Sequence, residues 1–156
     1  MSRYERFMEG FAKTRAGGWL AVNVGNPIDR RLLKWTNGRV GMFLGEPVGL
    51  LGTVGAKSGQ KRETPLLYLD DGERVVLVAS KAGAARHPSW LHNLRANPRV
   101  SFLRRGGHRG TYVAREAEGA ERDELWARVN DLYAGYDTYQ GRTARRIPVV
   151  VLDPAD

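Results

Sequence analysis

Two apolar runs, at residues 48–54 and 65–69, flank the octet Gly55-Ala56-Lys57-Ser58-Gly59-Gln60-Lys61-Arg62. No other feature constrains the fold as strongly. Two β-compatible runs joined by so short a polar segment are predicted to pair as an antiparallel hairpin. Three cations and two glycines make the turn compact and positively charged, able to bring backbone N–H groups and fixed cations together on an anion. A P-loop is excluded, because that motif needs Gly directly before the Lys and another six residues before it. Those places hold Ala56 and Leu51. The segment after the turn carries Pro65 inside an apolar run, so it continues as a strand and opens no helix. A solvated hairpin loop that is merely basic is the plainer reading of the same residues.

At 156 residues, one domain with an ordinary core is the simplest expectation. A formal charge of +8 favours anionic partners: nucleic acid, a membrane surface, or a phosphorylated or carboxylated ligand. The absence of cysteine excludes thiol catalysis, disulfides and thiolate metal sites. No apolar run approaches the roughly 20 residues of a membrane span. Glu5, Arg6, Glu9 and Lys13 interrupt any secretory apolar stretch, so a cytoplasmic location is expected.

Tyr4, Phe7, Met8 and Phe11 recur with helical spacing. Residues 1–45 therefore read as a helical segment, either packed on the core or in peripheral contact with a membrane through residues 1–15. Asn26-Pro27-Ile28-Asp29 resembles a second helix start. Residues 46–156 read as the main body of a single domain. Strands are expected at 48–54, 63–69 and 74–80, with a hairpin turn at Asp70-Asp71-Gly72-Glu73. A short helix fits 89–95, ending before Asn97-Pro98. A strand pair at 100–104 and 110–115, a helix at 118–133 and a last strand at 147–152 complete the pattern. Sequential short strands with helices outside them predict a small β-barrel of the α+β class.

Several motifs follow one another in order. They are Gly55-x-Lys57-Ser58-Gly59-Gln60-x-Arg62-x-x-Pro65-Leu66, Val78-Ala79-Ser80-Lys81-x-Gly83, and His87-Pro88-x-Trp90-x-x-Asn93-Leu94-x-Ala96-Asn97-Pro98. Tyr133, Tyr136, Tyr139 and the run Arg146-Ile147-Pro148-Val149-Val150 come after them. Together they resemble the deazaflavin (F420)-dependent nitroreductase family, over about residues 50–152. The resemblance implies a split β-barrel of the FMN-binding type with peripheral helices, and coenzyme F420 as a two-electron hydride carrier. It implies an oxidoreductase that passes a hydride from reduced F420 to a small-molecule acceptor: a quinone, an enone or a nitroaromatic.

By the same resemblance, Lys57 and Arg62 grip the phosphate of the F420 tail, while Ser58, Gly59 and Gln60 shape the loop. Pro65 and Leu67 fall beside the tail or ring, and Leu67 stands where the family leads one to expect Tyr. Ala79, Ser80 and Lys81 fall near the deazaflavin and its tail, with Ser80 counted among the catalytic residues. Trp90 and Asn93 share one face of a helix and are implied to lie near the cofactor; Trp90 taken alone reads as a core anchor. Tyr133, Tyr136 and Tyr139 are implied to line the substrate pocket, with Tyr136 the first choice for substrate contact. A phenol there can polarise an acceptor oxygen as the hydride arrives. Gly135 among them predicts a broken helix, and Asp137 is free to bond a phenol, a substrate or water. His87, His92 and His108 are too few and too poorly spaced for a metal site, and His87 is placed to cap the helix after Pro88.

Two other readings compete. One is an FMN-dependent barrel of the same fold, since FMN also carries a phosphate. The other is a non-enzymatic nucleic-acid binder, which would need a continuous basic stripe interleaved with aromatics; here the basic residues are dispersed, so no nucleic acid is expected. The protein is expected to be a monomer or weak dimer.

Overall fold

Seven strands and three helices build the part of the computed structural model described, residues 47–155. The expectations for residues 1–45, including the amphipathic helix and its membrane contact, lie outside the described residues. In chain order the elements are β1 (Val48–Val54), β2 (Lys61–Leu67), β3 (Leu69–Asp71), β4 (Arg74–Val78), α1 (Ser89–Ala96), β5 (Arg99–Leu103), β6 (Arg109–Glu116), α2 (Gly119–Leu132), α3 (Gly135–Gln140) and β7 (Val149–Pro154). All strand pairs are antiparallel, in the spatial order β2-β1-β5-β6-β7-β4-β3.

The two ends of that order, β2 and β3, are separated in sequence by Tyr68 alone. One residue therefore joins opposite edges of the sheet, and the sheet must curl back on itself. β2 accordingly comes to lie against β4 without a ladder between them. Tyr68 is the pivot: its N–H donates to Pro47 O at 3.0 Å, its hydroxyl accepts from Arg105 N–H at 3.1 Å, and its ring meets Phe102 edge-on at 5.1 Å. The sequence predicts one strand over 63–69, and the structure divides that run between two strands. The apolar run continues through the break, so no local pattern marks it.

The strand register sorts the side chains onto two faces. Leu51 opposes Phe102, and Val75 opposes Leu152. These residues share a core with Leu77, Ala79, Val100 and Val150, closed over by Trp90, Leu91 and Leu94 of α1. On the other face Val76, Val78, Val149 and Val151 pack with Leu125 and Val129 of α2 and with the three tyrosines. β4 and β7 are thus covered on both sides, which is why they read as unbroken Val/Leu runs. The sequence carries the strand at 74–80 two residues too far: Ser80 is already helical in φ/ψ and Lys81 is left-handed, at φ +44°. The last strand begins at Val149, not Ile147.

Candidate active site

The basic turn is a tied loop. Gly55 N–H donates to Gln60 O at 2.7 Å and Gly59 N–H to Gly55 O at 3.0 Å, while Gln60 N–H reaches Ser58 Oγ at 3.2 Å. Gly59 sits at φ +69° with open space around it, a conformation a Cβ would strain. Asn93 fixes the loop from outside. Its Oδ1 accepts the Ala56 N–H at 3.0 Å, and its Nδ2 donates to Thr53 Oγ1 at 3.3 Å. Thr53 is the register partner of Arg62, so Arg62 and Asn93 both flank Thr53 at one end of the barrel. Lys61, counted in the turn by sequence, is the first residue of β2 and points to the opposite face.

Lys57 and Arg62 are exposed, and among the described residues no carboxylate pairs with either. Five arginines of the domain are committed to carboxylates: Arg74 and Arg128 to Asp71, Arg95 to Glu116, Arg104 to Asp70, and Arg115 to Glu121 and Asp153. These arginines raise the bulk charge without forming an anion site. Their hydrogen bonds hold the carboxyl groups of Asp71, Glu116 and Glu121 below the usual range.

The three tyrosines lie beside the other end of β2. α2 stops at Leu132, and Tyr133 is extended at φ −147° before α3 begins at Gly135, the broken helix that Gly135 predicts. A Cβ at Gly135 would collide with the Tyr133 ring. Tyr133 and Tyr139 hydroxyls are 3.1 Å apart, and the Tyr136 ring stands edge-on to Tyr133 at 5.3 Å and to Tyr139 at 6.4 Å. All three are buried, and they share a cluster with Val78, packed on by Leu67 and Ala82. Asp137 does not face the phenols: its Oδ1 accepts from Trp126 Nε1 at 2.9 Å, and its N–H donates to Asn130 Oδ1.

Between these ends runs a left-handed elbow. Lys81, Ala82 and Gly83 have φ of +44°, +53° and +79°, closed by Gly83 N–H to Ser80 O at 2.9 Å and Ala84 N–H to Lys81 O at 3.0 Å. A Cβ on Gly83 would lie 2.6 Å from Tyr139 O, so the elbow is seated directly on α3. The Arg145 guanidinium gathers the elbow's carbonyls: Ala79 O at 3.2 Å, Ser80 O at 2.7 Å and Ala84 O at 2.8 Å. It also lies 3.0 Å from His87 Nδ1. Sequence reasoning missed Arg145, because an arginine just ahead of an apolar run carries no local signal. It also misplaced His87, which makes no cap bond to α1. Burial and the Arg145 charge push the His87 imidazole below its ordinary pKa.

The predicted residues therefore fall into two groups. Lys57, Ser58, Gly59, Gln60, Arg62 and Asn93 come together at the loop end. Leu67 packs on the tyrosine cluster, with Pro65 on the same face of β2. Ser80 and Lys81 precede Ala82 and Gly83, the elbow residues that reach the tyrosines. Ala79 is buried in the core under α1, and Trp90 is buried in the same core as part of α1 itself. β2 links the two ends, with Arg62 and Leu67 about 17 Å apart at ~3.3 Å per residue. Among the described residues there is no cluster of potential metal ligands, and no helix is long and apolar enough to cross a membrane.

A family model described as F420H(2)-dependent quinone reductase matches residues 28–154. An F420H(2)-dependent quinone reductase of Mycobacterium tuberculosis is 42% identical over 142 residues, covering 86% of this chain and 95% of that protein. A solved F420-H2 dependent reductase superposes with a TM-score of 0.64 at 42% identity, covering 69% of this chain and 94% of its own. A second solved relative, described as a domain-swapped dimer, gives 0.66 at 35% identity over 81% and 96%. The curled antiparallel sheet is that of the split barrels, of the α+β class expected from sequence.

Proposed function

This chain belongs to the F420H(2)-dependent quinone reductase family, and from that membership we propose that its two-ended site reduces a quinone with reduced F420. The family makes coenzyme F420 the cofactor, in preference to FMN. When bound, F420 in its reduced form supplies a hydride, and with one proton the quinone becomes a quinol.

The observation that carries the assignment of ends is a pair of cations without carboxylate partners beside a loop tied into one shape. Among the described residues Lys57, on a loop that Asn93 holds in shape, and Arg62, at the start of β2, have no carboxylate partner, whereas Arg74, Arg95, Arg104, Arg115 and Arg128 do. Arg99 and Arg109 are equally unpaired among those residues but lie away from this shaped loop, on β5 and β6. A phosphate fits that donor set: Arg62 offers a planar fork and Lys57 a mobile point charge. Ser58, Gly59 and Gln60 bind through loop shape, and Pro65 and Leu67, on the face of β2 opposite Arg62, are assigned to the ring end. Ser80 and Lys81 meet the ring end.

At the tyrosine end the chain's task is to orient the quinone and balance charge as one oxygen becomes a phenolate. Tyr136 is assigned as the donor to that oxygen, and the Tyr133–Tyr139 pair holds its neighbours in place. The buried aromatic walls exclude water from the reacting face. Enones and nitroaromatics satisfy the same donor geometry and are secondary acceptors. The solved relative described as a domain-swapped dimer supports a dimer here too, which light scattering at micromolar concentration would test.

Fluorescence titration of the full chain with F420 and with FMN tests the binding half. Lys57→Ala and Arg62→Ala should each weaken F420 about ten- to hundredfold, from roughly 1.5–3 kcal/mol per charged hydrogen bond. Tighter FMN than F420 binding, or unchanged affinity in both variants, would contradict it.

A further inference from the structure

One side chain organises the elbow without belonging to it. Arg145 donates through Nε, Nη1 and Nη2 to the carbonyls of Ala84, Ala79 and Ser80, with His87 Nδ1 as a fourth neighbour. Its own backbone is held in turn: Gln140 Nε2 donates to Arg145 O at 2.8 Å, and Gln140 Oε1 accepts Ile147 N–H at 2.9 Å. Arg142, three residues earlier, reaches Ala82 O at 3.4 Å and lies over the Tyr139 ring at 5.3 Å. The segment that leaves α3 is therefore strapped back onto the elbow by two arginines.

The elbow needs such a strap. Lys81 and Ala82 both carry a Cβ, yet both are left-handed, a region that costs non-glycine residues and persists only where surroundings enforce it. The conformation seats Gly83 on Tyr139. Only a planar fork can serve three carbonyls of one bend at once; an ammonium keeps the charge and loses that geometry.

We propose that Arg145 is a positioning residue for the reaction: through the carbonyls of Ala79, Ser80 and Ala84 it holds the left-handed elbow in register with the tyrosines, touching neither cofactor nor substrate. The inference rests on the functional reading above. Its structural half is measurable without F420.

Hydrogen exchange of the full chain is followed for wild type, Arg145→Lys, Arg145→Gln and the control Arg128→Gln, which removes a charge paired with Asp71. Amides of 80–84 should exchange about tenfold or more faster in both Arg145 variants, with β4 and β7 unchanged. Turnover of reduced F420 with a short-chain naphthoquinone is then measured per folded molecule. Both Arg145 variants should lose about tenfold or more in kcat, with KM for the quinone within about threefold, and Arg128→Gln should match wild type. Unchanged exchange at 80–84, full rescue of kcat by Lys, or an equal loss in Arg128→Gln would overturn the inference. Absence of turnover in wild type would instead overturn the functional reading and this role with it, leaving the exchange data to report whether Arg145 fixes the elbow.

Discussion

The side-chain amide of Asn93 accepts the backbone N–H of Ala56 at 3.0 Å, across 37 residues of sequence. A helix on the barrel thus sets the shape of a loop whose cations lie beyond it. The partner bond from Asn93 Nδ2 to Thr53 Oγ1 ties the same helix to the strand residue opposite Arg62. Asn93 acts on the loop end by building the cradle, whatever else it touches.

Asn93→Ala should therefore raise the Kd for F420 about tenfold, from two lost hydrogen bonds at ~0.5–1.5 kcal/mol each. Asn93→Asp should fare no better, since a carboxylate cannot donate to Thr53 and opposes a phosphate nearby. Calorimetric titration reads both, and wild-type affinity in Asn93→Ala would refute the loop-shaping role.

Two left-handed glycines separate strain from contact. Gly72 has φ +69° and nothing within reach of a Cβ, whereas Gly83, at φ +79°, would place a Cβ against Tyr139 O and Arg142 Cβ. Gly72→Ala should cost about 1–2 kcal/mol, the left-handed penalty alone. Gly83→Ala should add about 1–3 kcal/mol for the clash and should also disturb the tyrosine end. Urea unfolding of the two variants measures the difference, and equal losses would mean that the elbow is not seated on α3.

His87 carries the acid sensitivity of the elbow. Its pKa is depressed by burial first and by Arg145 next, so the folded protein binds this proton less readily than the unfolded chain. Stability from His87 is full above its ordinary pKa of 6.5 and is lost as pH falls through the lower folded value. A second loss follows at lower pH, where Asp71, Glu116 and Glu121, all depressed by arginine partners, become protonated. Thermal midpoints against pH should show both steps, and His87→Asn, whose amide oxygen can replace Nδ1 as acceptor, should remove only the first. A first step that survives in His87→Asn would assign it elsewhere.

Strands were legible wherever pairing is local and alternation is simple: β1 runs over the residues expected, and the β5–β6 hairpin differs by one residue at its ends. The broken helix at Tyr133 was legible because Gly135 has no good place inside a helix. Tyr68 was not, since it sits inside an unbroken apolar run that reads as one strand, and only sheet closure forces the turn. Arg145 was invisible for a related reason: its acceptors lie more than 60 residues away in sequence. Trp90 shows the reverse: taken alone it read as a core anchor, and the structure buries it in the core on the inner side of α1.

The central claim is that this chain passes a hydride from reduced F420 to a quinone at the tyrosine end. Purified full-length protein should oxidise reduced F420 only when a naphthoquinone is present, with two-electron stoichiometry and no semiquinone signal. Tyr136→Phe should lower kcat about ten- to a hundredfold, the range for losing one positioned donor or proton-transfer group. No quinone-dependent oxidation by wild type would contradict the account, and full turnover in Tyr136→Phe would remove the phenol from it.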